Sequence, residues 1–360
     1  MFSFRALVGV ALMLPVAAAC DRQHPPTAIE SAPPTASAGM HGHGFGVFSA
    51  SDLVRQGPRD PCGTERHRDF DFWLGDWNVL SPTQTVVATN RILSDLDGCA
   101  LLENWTAGNG TRGRSLNAYD ATTGLWNQMW VAPNPFSPLR ISGVKENGVL
   151  EMSGVRVSPF GFSVIDTIRW QAISADVVRQ AGSKNIPGFS STAFSIDYHR
   201  TDNAQPVAEA PQTFCQAGGS AAENRLADFL LGSWRLHTEN GRQVAESEIE
   251  SDLSGCLFVE RIASPQGFAS LTFFHYDAVT DEWTRGTMDN LGQWQEMTGP
   301  VDHAGGPIVL TGTRGGPGPG TTQVRLTIES LGATHMQQTL ETSQDGGATW
   351  PQRVTLDYRM

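Results

Sequence analysis

The sequence predicts an all-β protein made of two homologous domains in tandem. Three observations support this prediction. A segment that starts at residue 71 is repeated 157 residues later, and short runs of alternating apolar and polar residues dominate both copies. A helix-like pattern is confined to about two turns near residues 223–231. Glycine and proline number 38 and 21 among 360 residues, which favours many turns over long helices.

The composition excludes several classes of protein. The formal net charge is −12, with only 25 lysines and arginines, whereas a nucleic-acid partner requires clustered positive charge to neutralise its phosphates. After the N-terminus, no apolar run reaches the length of a membrane span. We therefore exclude a DNA-binding protein, a polytopic membrane protein and a coiled coil.

Residues 1–19 have the pattern of a signal peptide. Arg5 precedes an apolar run over residues 6–16, and the small residues 17–19 form a cleavage site before Cys20. The end of this segment resembles a bacterial lipobox, with Ala17 where that motif prefers leucine. Cys20 is therefore the predicted lipidation site. The alternative is a secreted protein in which Cys20 is incidental.

Residues 20–60 are predicted to form a disordered tether, because they are rich in proline and small residues and have no apolar period. Such a segment connects a lipid to a folded head. We therefore expect a protein of the bacterial cell envelope on its periplasmic side. It would be held to the membrane through an N-terminal lipid, or otherwise be secreted.

The internal repeat is the strongest signal in the sequence. Residues 71–77 recur at 228–234, and the Ser-Asp-Leu-x-Gly-Cys block at 94–99 recurs at 251–256. Over the 56 positions that start at 71 and 228, 20 residues are identical. This similarity predicts two domains of common origin. The predicted ranges are 61–202 for the first domain and 213–360 for the second.

The cysteines follow the same repeat. Four cysteines allow three pairings, and only the pairing of Cys62 with Cys99 and of Cys215 with Cys256 keeps each bridge inside one repeat. Disulfides of this kind belong to an oxidising compartment, which agrees with the export signal. Cys20 is then the odd cysteine, as a lipidated residue would be.

Strand patterns fill both repeats. One alternating run places Leu101, Glu103 and Trp105 on the same face. A second run does the same for Trp126, Gln128 and Trp130. Both runs have the period of two residues that is typical of a strand. Turn signals separate the runs, so each domain is predicted to have seven to ten short strands. That spacing is typical of a closed barrel or a sandwich.

The segment 70–77, Phe-Asp-Phe-Trp-Leu-Gly-Asp-Trp, resembles the opening of an uncharacterised bacterial family of exported, calycin-like β-barrel proteins. The Gly-x-Trp pairs that end at Trp77 and Trp234 resemble the strand whose tryptophan plugs the closed end of lipocalin barrels. In lipocalins a late arginine packs across that indole, a role open to Arg200 and Arg359. The resemblance implies two tandem calycin (lipocalin-like) antiparallel β-barrels and brings no established activity.

Motifs for the common cofactors and catalytic centres are absent from the sequence. There is no Gly-x-Ser-x-Gly, P-loop or dinucleotide fingerprint. The nine histidines are scattered, and the glycine-rich motif of the haem-binding nitrobindins is missing. We therefore expect no metal and no cofactor.

Three residues are candidates for catalysis. Glu103 and Glu260 are carboxylates kept in both repeats on an otherwise apolar strand face, where burial would raise the pKa and suit a general acid or base. The alternative is that each pairs with an arginine or faces water. His275 replaces Ala118 of the first repeat and adds a polar group to the second.

Aromatic residues beside polar ones predict a ligand site. Gln128 and Arg285 occupy the same place in the two repeats, each two residues after a tryptophan, and such a polar group can orient a ligand. Two further tryptophans of the first repeat have no aromatic counterpart in the second. The predicted ligand-binding residues are Trp105, Trp126, Gln128, Trp130, Trp283 and Arg285.

From these features we predict an exported, lipoprotein-type binding protein that holds a small, largely apolar or aromatic molecule in a barrel. One alternative is a cofactor-free enzyme of the isomerase, hydratase or cyclase type that uses a buried carboxylate. Another is an envelope scaffold that presents two barrels to a partner. The sequence does not indicate an oligomeric state.

Overall fold

The structure, a computed structural model, describes residues 61–135, 138–188, 190–202, 210, 212–314 and 322–360. The predicted signal peptide, the predicted tether and Cys20 lie outside these residues. The described part is all-β and contains two closed antiparallel barrels of ten strands each. The prediction of two tandem barrels is confirmed, and the choice between barrel and sandwich is decided for the barrel.

The first barrel follows the chain from strand to strand. Its strands are β1 (Gly75–Leu80), β2 (Val86–Asp95), β3 (Ala100–Ala107), β4 (Arg112–Asp120), β5 (Leu125–Val131), β6 (Leu139–Glu146), β7 (Val149–Val157), β8 (Ser163–Ser174), β9 (Val177–Ile186) and β10 (Ser190–Arg200). Each strand pairs with the next, and β1 closes the barrel by pairing with β10, with Trp77 opposite Arg200.

The second barrel repeats this order. Its strands are β11 (Gly232–Thr238), β12 (Gln243–Asp252), β13 (Leu257–Ala263), β14 (Ala269–Asp277), β15 (Glu282–Asp289), β16 (Trp294–Pro300), β17 (Ile308–Arg314), β18 (Thr322–Gly332), β19 (His335–Ser343) and β20 (Gln352–Arg359). β11 pairs with both β12 and β20, which closes the barrel.

Short 3-10 helices precede and interrupt the strands. They span Glu65–Arg68, Asp71–Trp73, Leu96–Gly98, Ala222–Leu230 and Leu253–Gly255. The stretch in which the sequence predicts a helix lies almost entirely within Ala222–Leu230. Among the described residues, no helix is long and apolar enough to cross a membrane.

A buried tryptophan fixes the 3-10 helix to the start of each barrel. Trp77 Nε1 donates to the carbonyl oxygen of Trp73 at 2.8 Å, and Trp234 Nε1 donates to that of Leu230 at 2.8 Å. Both donors are buried, so each needs such a partner. The repeated Gly-x-Trp motif therefore fixes the preceding 3-10 helix to the first strand of each barrel in the same way.

Arg200 packs across Trp77, as the sequence predicts. Its guanidinium carbon lies 4.2 Å from the centre of the indole ring and Nη1 donates to the carbonyl oxygen of Leu74 at 2.8 Å. In the second barrel, Arg359 pairs with Asp357. Gly232 belongs to the second Gly-x-Trp pair, and Met360 lies beside it where Arg200 lies beside Gly75 in the first barrel. The Cε of Met360 is 2.5 Å from where a Cβ on Gly232 would lie.

The repeated Ser-Asp-Leu-x-Gly-Cys block is a tight left-handed turn. Leu96, Asp97 and Gly98 have φ values of 48°, 54° and 90°, and their counterparts at 253–255 have 50°, 56° and 93°. The Asp95 side chain accepts from the backbone N–H of Leu96 at 2.7 Å, as Asp252 does from Leu253 at 2.6 Å. These bonds hold a conformation that leucine, aspartate and serine rarely adopt.

The two predicted disulfides follow these turns and are confirmed. They join Cys62 to Cys99 and Cys215 to Cys256. The bridges tie the segment before each barrel to the start of β3 or β13. Two disulfides indicate an oxidising, extracytoplasmic environment.

The two barrels contact each other through equivalent strands. Leu116 and Met129, on the outer face of the first barrel, belong to the same buried cluster as the core of the second. Asp252 accepts from Arg114 at 2.8 Å, and the equivalent Asp95 pairs with Arg261 at 2.8 Å. The same aspartates therefore cap the left-handed turns and pair across the contact between the barrels.

Candidate functional site

The interior of the second barrel contains a buried ion pair. Glu260 on β13 and Arg285 on β15 point inward, with Oε2 of Glu260 3.5 Å from Nη2 of Arg285 and both side chains 7% exposed. Ser247 Oγ donates to Glu260 Oε1 at 2.9 Å, and the Tyr358 hydroxyl lies 3.4 Å from the same oxygen. The alternative that Glu260 pairs with an arginine is the arrangement found.

Burial and the Glu260 carboxylate raise the pKa of Tyr358 well above its usual value. The phenol is therefore a neutral donor at physiological pH. On the other side of the ion pair, Arg285 Nη2 donates to Thr272 Oγ1 at 3.3 Å, and this hydroxyl shares a hydrogen bond of 2.8 Å with Thr287. Glu260 is thus held in place by three neighbours.

A cavity lies next to Arg285 inside the second barrel. The empty space in and in front of this cavity measures about 590 Å³ and includes open solvent, and only about 40 Å³ is wide enough for the centre of a water-sized molecule. It is therefore narrow. Its lining consists of Ile262, Arg285, Gln295, Met297, Arg314, Val324, Leu326, Gln338, Leu340, Val354, Leu356 and Tyr358.

The walls of this cavity are apolar and its polar groups are few. Seven of the twelve lining residues have aliphatic or thioether side chains, which is typical of a site for a small, largely apolar ligand. A second, smaller cavity lies beyond Arg285 and is lined by Glu260, Phe258 and Phe274 among others. Arg285 and Gln338 line both, so the polar layer separates the two spaces.

In the first barrel, a hydrogen-bond network occupies the equivalent place. Glu103 accepts from Asn90 Nδ2 at 2.7 Å and from Ser115 Oγ at 2.7 Å. Asn117 Nδ2 donates to Ser115 Oγ at 2.8 Å, and Gln128 Nε2 donates to Asn117 Oδ1 at 2.6 Å. Gln128 therefore belongs to a chain of polar side chains and completes it from β5.

Among the described residues, no ion pair is found for Glu103, because Gln128 stands where the second barrel has Arg285, and the nearest charge that acts on it is that of Arg114. Burial raises the pKa of Glu103, and the hydrogen bonds from Ser115 and Asn90 oppose this effect only in part. Burial and Glu103 in turn raise the pKa of Tyr198. The two equivalent glutamates therefore have different electrostatic surroundings.

Trp105 and Trp130 are half-buried indoles in the region of the first barrel that corresponds to Ile262 and Thr287 of the second. Both indoles are on inward positions beside Gly113, and ring atoms of Trp130 lie 1.8–2.4 Å from where a Cβ on Gly113 would be. Only glycine leaves room for this ring. In the second barrel Ile262 takes the place of Trp105, Thr287 that of Trp130 and Ser270 that of Gly113. Much less side-chain volume therefore enters the same region.

Trp126 and Trp283 are buried and pack against other aromatic side chains. Trp126 meets Phe70 edge to face, with ring centres 5.6 Å apart, and Trp283 stacks on Phe274 at 4.9 Å. Neither is among the residues that line the two cavities. Of the predicted ligand-binding residues, Arg285 is the one that lines them.

His275 is separated from Glu260 by the wall of the barrel. It alternates with the inward residues Phe274 and Tyr276 on β14, and its Nδ1 donates to the carbonyl oxygen of Cys256 at 2.5 Å. The three predicted catalytic candidates are therefore not brought together. Among the described residues there is also no group of histidine, cysteine and acidic side chains that could hold a metal ion.

Several lining residues were missed by the sequence patterns. Gln295, Gln338 and Tyr358 have no motif around them, and each is a polar residue on the inward face of a strand in the second half of the barrel. The repeat does give a signal for Tyr358, because its counterpart Tyr198 also lies inside a barrel, beside the equivalent glutamate.

Comparison with known proteins adds little about function. No protein-family model and no curated protein matches the chain. A protein of unknown function from the DUF3598 family of Nostoc punctiforme is similar in structure, with 13% identity and a TM-score of 0.24, covering 82% of this chain and 100% of that chain. Two substituted forms of transferrin-binding protein B from Haemophilus parasuis are 8% identical, each with a TM-score of 0.18. They cover 69% and 76% of this chain and 66% and 65% of their own. Similarities this low carry no argument about what this chain binds.

Proposed function

We propose that the protein binds a small, slender, largely apolar molecule in its second barrel. The observation that carries this proposal is the narrow cavity beside Arg285, with seven aliphatic or thioether side chains and five polar ones in its lining. A molecule in this space would exchange water for apolar contacts, which is favourable in proportion to the area buried.

The same geometry favours binding over catalysis. Glu260 is engaged by Arg285, Ser247 and Tyr358, so its carboxylate is not presented to the larger cavity. Glu103 is enclosed by Asn90 and Ser115. A general acid or base must reach the reacting atoms of its substrate, and Glu260 borders only the smaller of the two cavities, where Arg285 and Ser247 already engage it.

In this proposal the first barrel is a structural partner. Trp105 and Trp130 occupy its interior, and its outer face packs against the second barrel. The tandem arrangement would then consist of one binding domain and one filled copy that supports it. This interpretation agrees with the different tryptophan content of the two repeats.

We further propose that the chain belongs to a calycin-like family of exported proteins and is anchored through a lipid on Cys20. The support is the lipobox-like segment before Cys20 and the Gly-x-Trp strand at the closed end of each barrel. The disulfides are consistent with such a location.

Titration with the neutral apolar dye N-phenyl-1-naphthylamine tests the binding site. We expect saturable binding of one dye per chain, and loss of binding in Ile262→Trp, which places an indole in the cavity as Trp105 does in the first barrel. Leu326→Trp is a second variant of the same kind. Val309→Trp adds the same volume on the outer face of the barrel and should bind like the unaltered protein. Equal binding by all four proteins would refute the proposal.

A further inference from the structure

The cavity presents hydrogen-bonding groups of two opposite kinds. Arg285 is 6% exposed and makes its contacts with Glu260 and Thr272 through Nη2. Its Nη1 and Nε donate no hydrogen bond to the described residues. Three N–H groups of a buried guanidinium are therefore available to an acceptor.

Gln295 contributes a buried acceptor on the neighbouring strand. It is 6% exposed, and its Nε2 donates to the carbonyl oxygens of Glu296 at 3.2 Å and Thr313 at 3.1 Å. These two bonds fix the orientation of the amide. Its Oε1 has no partner among the described residues. Because a buried acceptor without a donor costs about 1–3 kcal/mol, this oxygen marks a place for an O–H or N–H group.

The buried guanidinium favours a ligand with at most one negative charge. Arg285 lines the cavity, and the described lining residues include no carboxylate. Glu260 lies on the far side of Arg285 and already balances one positive charge. A dianion such as a phosphate monoester would bring two negative charges close to Glu260, whereas a carboxylate brings one and still accepts a charge-assisted hydrogen bond from the guanidinium.

We propose that the ligand is a hydroxylated carboxylic acid with an apolar chain. Its carboxylate accepts from Nη1 of Arg285, its hydroxyl donates to Gln295 Oε1, and its chain lies along Leu326, Leu340 and Leu356. This inference rests on the proposed function of the second barrel and adds the chemical class of the ligand.

Competition against N-phenyl-1-naphthylamine tests the ligand class with four compounds of equal chain length: 2-hydroxydecanoate, 3-hydroxydecanoate, decanoate and 1-decanol. We expect at least one hydroxy acid to bind more tightly than decanoate, and decanoate to bind roughly tenfold more tightly than decanol, as for a charge-assisted hydrogen bond. If the dye binds and all four compounds compete equally, the ligand class is wrong and the binding function stands. If the dye does not bind, both fail.

Two variants assign the two contacts. Gln295→Leu should abolish the advantage of the hydroxy acids over decanoate and leave the preference for decanoate over decanol. Arg285→Gln introduces the residue of the first barrel and should abolish that preference. Arg285→Gln leaves the Glu260 carboxylate buried without its counter-ion. The double variant Arg285→Gln/Glu260→Gln removes both buried charges and tests the same contact without this effect. Unchanged preferences in Gln295→Leu and in the double variant would overturn the proposal.

Discussion

Gln128 and Arg285 occupy equivalent positions on β5 and β15 and have opposite roles in the two barrels. Gln128 donates to Asn117 Oδ1 at 2.6 Å and completes a neutral network around Glu103, whereas Arg285 lies 3.5 Å from Glu260 and faces a cavity. At this position the two barrels therefore differ by a neutral amide and a buried cation, which gives the two equivalent glutamates different surroundings. The predictions below follow from this difference.

The ion pair of the second barrel should be costly to break on one side. Arg285→Met leaves Glu260 buried without its counter-ion, and we expect the free energy of unfolding to fall by about 3 kcal/mol or more. The double variant Glu260→Leu/Arg285→Met should recover most of this loss, because no buried charge remains. Urea denaturation of the three proteins measures both effects. A single variant as stable as the double one would contradict the assignment.

Glu103 should make the stability of the first barrel fall as pH rises. Its pKa in the folded protein is raised above the usual value of 4.5 by burial, so between these two values the folded state binds more protons than the unfolded state. This stabilising contribution is complete below pH 4.5 and is lost as pH rises through the folded pKa. Glu103→Gln mimics the protonated side chain and should become more stable than the unaltered protein as pH increases.

Urea denaturation of both proteins from pH 4 to pH 9 checks this expectation. Glu260→Gln is the matched control, since it removes the partner of Arg285 and should destabilise the protein at neutral pH. A constant difference between Glu103→Gln and the unaltered protein across the whole range would contradict the raised pKa.

The cavity should be transferable between the barrels. Trp105→Ile/Trp130→Thr gives the first barrel two residues of the second, and we expect a loss of about 1–3 kcal/mol, because two large half-buried side chains are removed. The variant should also bind a second molecule of N-phenyl-1-naphthylamine. The reverse replacement, Ser270→Gly/Ile262→Trp/Thr287→Trp, should remove the original site. A stoichiometry that stays at one in the first variant would show that side-chain volume is not what distinguishes the barrels.

Each disulfide should stabilise its own barrel. Cys62 and Cys99 are 37 residues apart and Cys215 and Cys256 are 41 apart, so loop closure contributes about 4 kcal/mol for each in the chain-entropy model. Cys62→Ala/Cys99→Ala and Cys215→Ala/Cys256→Ala should therefore lose similar amounts of stability, as measured by thermal unfolding. A loss in one pair only would show that the two bridges are not equivalent.

Much of the fold follows from the sequence because its signals are local. The Gly-x-Trp pairs, the Ser-Asp-Leu-x-Gly-Cys turns and the cysteine spacing are each decided within a few residues or by the repeat itself. The site is less predictable, because it depends on which strand faces point inward. Glu260 and Arg285 are 25 positions apart in the sequence and meet only when β13, β14 and β15 pair in this register.

The position of His275 shows the same limit. A shift of one residue along a strand moves a side chain to the opposite face of a sheet, and His275 is one residue from the inward Phe274. Gln295 and Tyr358 come from strands on other sides of the barrel and lack any motif. Their contribution to the cavity depends on barrel closure, which no local pattern encodes.

The most direct test of a ligand in the second barrel is native mass spectrometry of the full chain purified from the cells that produce it, before and after organic extraction. We predict an extra mass on the unaltered protein that extraction removes, with the composition of a hydroxylated carboxylic acid, and its absence from Ile262→Trp. An extra mass that Ile262→Trp retains, or an unaltered protein that is free of any ligand and binds no apolar probe, would contradict the proposal.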